Sequence, residues 1–194
     1  MRSLPRVSWV AAACGLLCSG VGVPPPGVSA RQAGVPRVAQ LAVDLPAGWQ
    51  VSETHGTVET YEELRCLGPR NADDTYTAWI AVRARPLAAR PDGTPQSADA
   101  AADDYLSAWG EDATATRATA QVAGLTVPAV GLSYTIPPLH RRGLHPVAVP
   151  VASRTVFLVK GASLYELSYS ADAREFAASL PAFDALLRSA RVEE

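Results

Sequence analysis

VASRTVFLVKGASLYELSY, residues 151–169, decides the fold. Val151 to Lys160 is an apolar, β-branched run, Gly161-Ala162 is a short turn, and Ser163 to Tyr169 alternates, with Tyr165, Leu167 and Tyr169 on one face. Extended run, tight turn and alternating run together predict a β-hairpin. A sheet built from hairpins is antiparallel, and its apolar face needs a cover. The residues that follow supply one. From about Arg174 to Arg191, Phe176, Phe183 and Ala190 recur at sevens and Leu180 and Leu187 fill the stripe, which predicts an amphipathic helix. Pro181 is expected to kink this helix or to begin a second segment.

Working back toward the N-terminus, the pattern repeats. Thr116 to Val122 and Val127 to Ile136 read as two strands joined at Gly124. Pro137 to Pro150, with Pro138 and Pro146 between, fits no regular element and reads as a surface loop. Ser97 opens a helix as its cap, and Asp99 suits the positive helix end. Ala98, Ala102, Tyr105, Leu106 and Trp109 form its apolar stripe, Asp103 and Asp104 its wet face, and Gly110 its stop. Tyr76 to Arg85 alternates cleanly, with Tyr76, Ala78, Ile80, Val82 and Ala84 on one side and Thr77, Trp79, Ala81, Arg83 and Arg85 on the other. Thr57 to Leu67 is a looser strand stopped by Gly68-Pro69, and Val38 to Asp44 is the first strand, with Pro46 and Gly48 forcing a turn before Trp49. Three strands, a helix, four strands and a helix predict a layered α+β domain over residues 38–192. It has an antiparallel sheet of six or seven strands and helices packed on its faces.

The N-terminus reads as a targeting segment. Arg2 and Arg6 precede an uncharged stretch from Val7 to Val23, and Val28-Ser29-Ala30 has the small residues of a signal-peptidase site. Cleavage after Ala30 is expected, leaving residues 31–37 as a flexible leader and no membrane span. A retained anchor, or lipid attachment through Cys14 or Cys18, is the alternative. Export into the periplasm or medium follows from this reading. Lys160 is the only lysine and Asn71 the only asparagine, a bias that fits GC-rich bacterial coding.

Composition narrows the chemistry. With 17 basic and 19 acidic residues the chain has no basic excess, which argues against nucleic acid. Cys66 is the only cysteine beyond residue 30, so the exported domain has no internal disulfide; its place in a strand pattern makes it a small buried hydrophobe. There is no Gly-x-Ser-x-Gly elbow, no His-Glu-x-x-His run and no phosphate-cradling glycine loop. His55, His140 and His145 are the only histidines, and Arg141 and Arg142 beside the last two disfavour a cation. No catalytic residue, metal or cofactor is expected. The second face of the strands is the most suggestive surface. Trp79, Arg83 and Arg85 alternate on one strand, and Glu59, Tyr61, Glu63 and Arg65 share a face of the one before. Pairing of these strands sets Glu against Arg as cross-strand ion pairs, with Trp79 packed under a helix. Alternatively, Tyr61, Trp79, Arg83 and Arg85 form a platform for a partner, since Trp, Tyr and Arg are common interface anchors. His140, Arg141, Arg142 and His145 offer a second contact at a loop tip.

Two segments resemble a known family. LAVDLPAGWQV (Leu41 to Val51) is similar to the opening of the PsbP-like superfamily, which includes the periplasmic DcrB-like proteins. TVFLVKGASLYELSYSA (Thr155 to Ala171) followed by FDALLRSARV (Phe183 to Val192) resembles its final hairpin and helix. The resemblance implies an antiparallel sheet covered by helices on both faces, and a non-catalytic extracytoplasmic or accessory role. It transfers no ligand or catalytic residue to a position here, and the 137–150 loop departs from it. The expectation is thus an exported, monomeric, non-enzymatic module that binds a protein partner. A carrier holding a small apolar ligand between sheet and helices is the alternative, and a secreted hydrolase is the reading least supported.

Overall fold

The computed structural model describes residues 36–52, 61–72, 76–109, 111, 113–136 and 148–193, all within the unit Gln32–Glu194. The elements in order are β1 (Arg37–Val38), β2 (Leu41–Ala42), β3 (Gln50–Ser52), β4 (Glu62–Leu67), β5 (Ala78–Pro86), α1 (Ala98–Trp109), β6 (Thr114–Val122), β7 (Leu125–Ile136), β8 (Val149–Lys160), β9 (Ser163–Asp172), α2 (Phe176–Ser189) and β10 (Arg191–Val192). Seven strands form one antiparallel sheet in the order β3-β4-β5-β9-β8-β7-β6, and β1-β2-β10 form a small second sheet. This is the expected α+β architecture.

The β8–β9 hairpin sits in the middle of the sheet, in register from Val151↔Asp172 to Lys160↔Ser163. Its residues alternate between two cores. Val156, Leu158, Tyr165, Leu167 and Tyr169 face α2, together with Ala78, Ile80, Val82 and Ala84 of β5 and with Phe183, Leu186 and Leu187 of the helix. Phe157 and Leu164 face α1 and join Ala101, Ala102, Val130 and Leu132. Ser97 caps α1 as expected, its Oγ accepting the Ala100 N–H at 3.1 Å. Cys66 is fully buried in the α2-side core, and burial pushes its thiol up to about 12. The turn at Ala123-Gly124 has positive φ at both residues, the backbone a two-residue hairpin needs.

Several expectations are corrected. The predicted strand Val38 to Asp44 is broken at Ala39 (φ 51°), where the chain doubles back so that Val38 pairs with Leu41. The Glu62 carboxylate holds this turn by accepting the Ala39 N–H at 2.7 Å, a partner far away in sequence. Arg37 therefore belongs to β1 and not to a leader. Pro46 and Gly48 do turn the chain, the Trp49 N–H returning to the Pro46 carbonyl at 3.1 Å. They deliver Trp49 onto Gly68, where a Cβ would lie 3.4 Å from its ring, and to the unpredicted edge strand β3. The C-terminal helix spans Phe176–Ser189 without dividing at Pro181. Arg191 is not helical: Ala190 is extended, and Arg191 and Val192 pair with β2, using its second edge. Val149 and Pro150 belong to β8 and not to the loop, and the Pro150 carbonyl accepts the Ala173 N–H at 2.9 Å. The signal segment 1–30, Cys14, Cys18, His55, residues 57–60, Gly110 and the loop residues 137–147 lie outside the described residues.

Candidate functional site

The two faces of the seven-stranded sheet are covered unequally. On the face opposite α2, α1 rests on β7 and β8. Its outermost ring toward the sheet centre is Tyr105, which packs edge-on against Phe157 (5.5 Å between centroids), its hydroxyl accepting from Thr155 or donating to it at 3.3 Å. Beyond that, β9, β5 and β4 present Glu166, Ser168, Trp79, Arg83, Arg85, Glu63 and Arg65 on the same face, by register: Glu63↔Arg83↔Glu166 and Arg65↔Ala81↔Ser168.

These charges form two neighbouring ion-paired groups, with Arg83 placed by register between Glu63 and Glu166. Glu63 lies between two arginines, accepting Arg65 Nε through Oε1 at 2.9 Å and Arg83 Nε through Oε2 at 2.7 Å. Glu166 accepts Arg85 Nε at 3.1 Å. Tyr61 places its ring 5.7 Å from the Arg83 guanidinium carbon, a cation–π contact. The Glu63 side chain is only 5% exposed while Arg65, Arg83 and Arg85 are 20%, 24% and 30% exposed, so the carboxylate is at the bottom and the guanidiniums are on top. Burial alone lowers the Arg83 pKa, but the Glu63 charge and hydrogen bond outweigh it and hold the guanidinium above its ordinary value. Arg83 stays charged at every working pH. Both Arg83 and Arg85 bond to carboxylate through Nε, the inner edge of the fork. Among the described residues their terminal nitrogens have no hydrogen-bond partner, which leaves them to an anion or a carbonyl.

Of the residues expected to form a partner surface, Tyr61, Trp79, Arg83 and Arg85 are brought together here. Trp79 is half-buried, between Leu67 and Ser170, and belongs to neither helix-covered core, so it is not packed under a helix as one expectation had it. His140, Arg141, Arg142 and His145 lie outside the described residues. Sequence reasoning missed Glu166, because nothing local shows that β9 is the neighbour of β5. Its signal was being the one charge between Ser163 and Ala171, a stretch otherwise of apolar and hydroxyl side chains. It also read Asp103 and Asp104 as mere wet surface. Asp99 and Asp103 together clamp Arg117 of β6, with Asp99 at 2.6 Å, and Asp104 accepts from Gln96 at 2.7 Å. Among the described residues no three His, Cys, Asp or Glu side chains converge on one point, and no helix is long and apolar enough to cross a membrane.

No protein-family model matches this sequence, and no curated protein does. Solved structures do show likeness. A Bacteroides thetaiotaomicron protein is 10% identical with a TM-score of 0.46 over 83% of this chain, which spans about half (48%) of that protein's length. LpqN, described as involved in cell envelope biogenesis of Mycobacterium tuberculosis, is 14% identical with a TM-score of 0.47 over 79% of this chain and 83% of its own. Cyanobacterial PsbP from Synechocystis is 13% identical with a TM-score of 0.41 over 91% of this chain and 97% of its own.

Proposed function

We propose that this protein is an exported, non-enzymatic accessory module of the bacterial cell envelope, and that it binds a protein partner through the β4-β5-β9 face. One observation carries the reading: among the described residues no helix covers half of this sheet face, which is built as an aromatic and arginine surface over a buried carboxylate. Arginines held by their Nε on a buried Glu are already fixed in place, so little side-chain entropy remains to be lost on binding. Trp79 and Tyr61 supply the large, stiff contact area that interface anchors need. Among the described residues, Arg65, Arg83 and Arg85 stand against Glu63 and Glu166, one positive charge in excess, which suits an acidic or carbonyl-rich partner surface. Export is supported by the Arg2, Arg6, Val7–Val23 and Ala30 pattern.

The test places a photo-crosslinking amino acid at Trp79, and at exposed Leu125 as a control, in the full chain expressed in a bacterial host that exports it. One discrete adduct from position 79, absent from 125 and lost with Arg83→Ala, is the expected result. Adducts of equal pattern at both positions, or none at 79, overturn the reading.

A second reading, a small-molecule carrier, is favoured by one feature. Tyr165 is fully buried in the α2-side core, and among the described residues its hydroxyl has no hydrogen-bond partner. A bound molecule with an acceptor atom would satisfy it.

A further inference from the structure

The two edges of the seven-stranded sheet differ. At one edge, β3 has three residues. At the other, β6 runs nine residues, TATRATAQV, paired continuously with β7 from Thr114↔Ser133 to Val122↔Leu125 without a bulge. Thr114 to Thr119 are all exposed. Natural sheets blunt such edges with proline, with unpaired charge, with bulges or with a covering segment. Here the strand contains no proline and no lysine. Its only charge, Arg117, is turned onto α1 and neutralised there by Asp99 and Asp103. Among the described residues no other backbone group bonds to β6 outside its β7 ladder, and the one side-chain contact to its backbone is Arg154 Nη2 to the Thr119 carbonyl at 3.4 Å.

We infer that β6 is a homodimerisation edge: two copies of this chain pair β6 against β6 in antiparallel fashion about a twofold axis at Ala118, joining their sheets into one. The occupant follows from the sequence of the strand itself. Ala118 is its midpoint, so a twofold axis there pairs all nine residues and wastes none. Ala118 then faces Ala118, Thr116 faces Ala120 and Thr114 faces Val122 on the α2 side. On the other side, Arg117 faces Thr119 and Ala115 faces Gln121. No like charges meet, every opposed pair contains an Ala or a Thr, and the small side chains let the backbones approach to ladder distance. The interface is isologous, so it closes at two copies and does not propagate into a filament. This departs from the monomer expected from the sequence, and it leaves the β4-β5-β9 face free in both copies.

The experiment is sedimentation velocity of the full chain over a concentration series, with amide hydrogen exchange at low and high concentration. Wild type is expected to shift from monomer to dimer, with added protection confined to 114–122. Ala118→Lys and Ala118→Glu each put like charges face to face on an exposed position. Each should weaken dimerisation at least about tenfold and melt as the wild type does at concentrations where it is monomeric. An equimolar mixture of the two variants should recover a one-to-one dimer. A wild type that stays monomeric, a dimer indifferent to Ala118→Lys, or protection appearing elsewhere than 114–122 overturns the proposal. So does a mixture that fails to recover. The exchange measurement needs no variant, so a misfolded mutant would not rescue it.

Discussion

Tyr165 and Tyr169 lie four residues apart on the same face of the same central strand, and their hydroxyls meet opposite fates. The Tyr169 hydroxyl donates to the Phe176 carbonyl at 2.9 Å, tying the sheet to the first turn of α2, and burial pushes its pKa up to about 12. The Tyr165 hydroxyl is buried and, among the described residues, unpaired. An orphaned buried hydroxyl costs the desolvation of its polar atom and returns nothing. Tyr165→Phe is therefore expected to raise stability by about 1 kcal/mol in denaturant titration. If a carried molecule accepts that hydroxyl instead, Tyr165→Phe lowers the melting temperature of protein purified gently from a bacterial host. It also removes an extra mass from the native mass spectrum, so the two readings separate by sign.

At the scale of elements, the junction between β9 and α2 depends on one carboxylate. Asp172 accepts the Arg174 backbone N–H at 3.0 Å, Arg174 Nε at 2.9 Å and Arg174 Nη2 at 2.6 Å. The Arg174 hydrogen bond holds the Asp172 carboxyl below its ordinary value, against the opposing effect of burial. A carboxylate with a lowered folded pKa stabilises the fold above its unfolded pKa, and that stabilisation fades as pH falls through the folded value. The loss is expected from about pH 4 downward and is no more than about 1 kcal/mol, because Arg174 is largely exposed and its pairing is screened. Asp172→Asn should remove this acid-side slope and leave stability at neutral pH lower by a similar amount, as read from thermal melts across pH. Pro181 is tolerated inside α2 because the carbonyl it orphans, that of Ala177, is on the exposed side and open to water.

On the scale of the whole molecule, the sheet is shared by two cores, and β8 and β9 contribute to both. Phe183 is the link between α2 and the sheet: it is fully buried and stacks on Tyr169 with 5.7 Å between ring centroids. Phe183→Ala should cost about 3–5 kcal/mol. Because the cores share strands, the loss should be of the whole fold in one transition at lower denaturant, seen together by far-ultraviolet circular dichroism and by tryptophan fluorescence. Separate transitions by the two probes would show that the α1 side and the α2 side are independent units.

What the sequence determined by itself is whatever rests on neighbours along the chain. The β8–β9 hairpin, the β6–β7 turn at Gly124, the cap at Ser97 and the stripe of α2 were all legible, because period, turn chemistry and capping act over a few residues. The candidate surface was half legible. Alternation placed Trp79, Arg83 and Arg85 on one face, and strand pairing put Glu63 opposite Arg83. Tertiary structure alone decided the rest. It made β9 the neighbour of β5, which brings Glu166 to Arg85. It broke the first predicted strand at Ala39, where the distant Glu62 holds the turn, and drew Arg191 and Val192 out of the helix to pair with β2. It also set α1 chiefly over β7 and β8, so that among the described residues no helix covers β4 and β5 on that face and no strand pairs with the outer edge of β6. Each of these is a contact between segments far apart in sequence, settled by how the whole sheet buries its apolar area and pairs its backbone, which no local window contains.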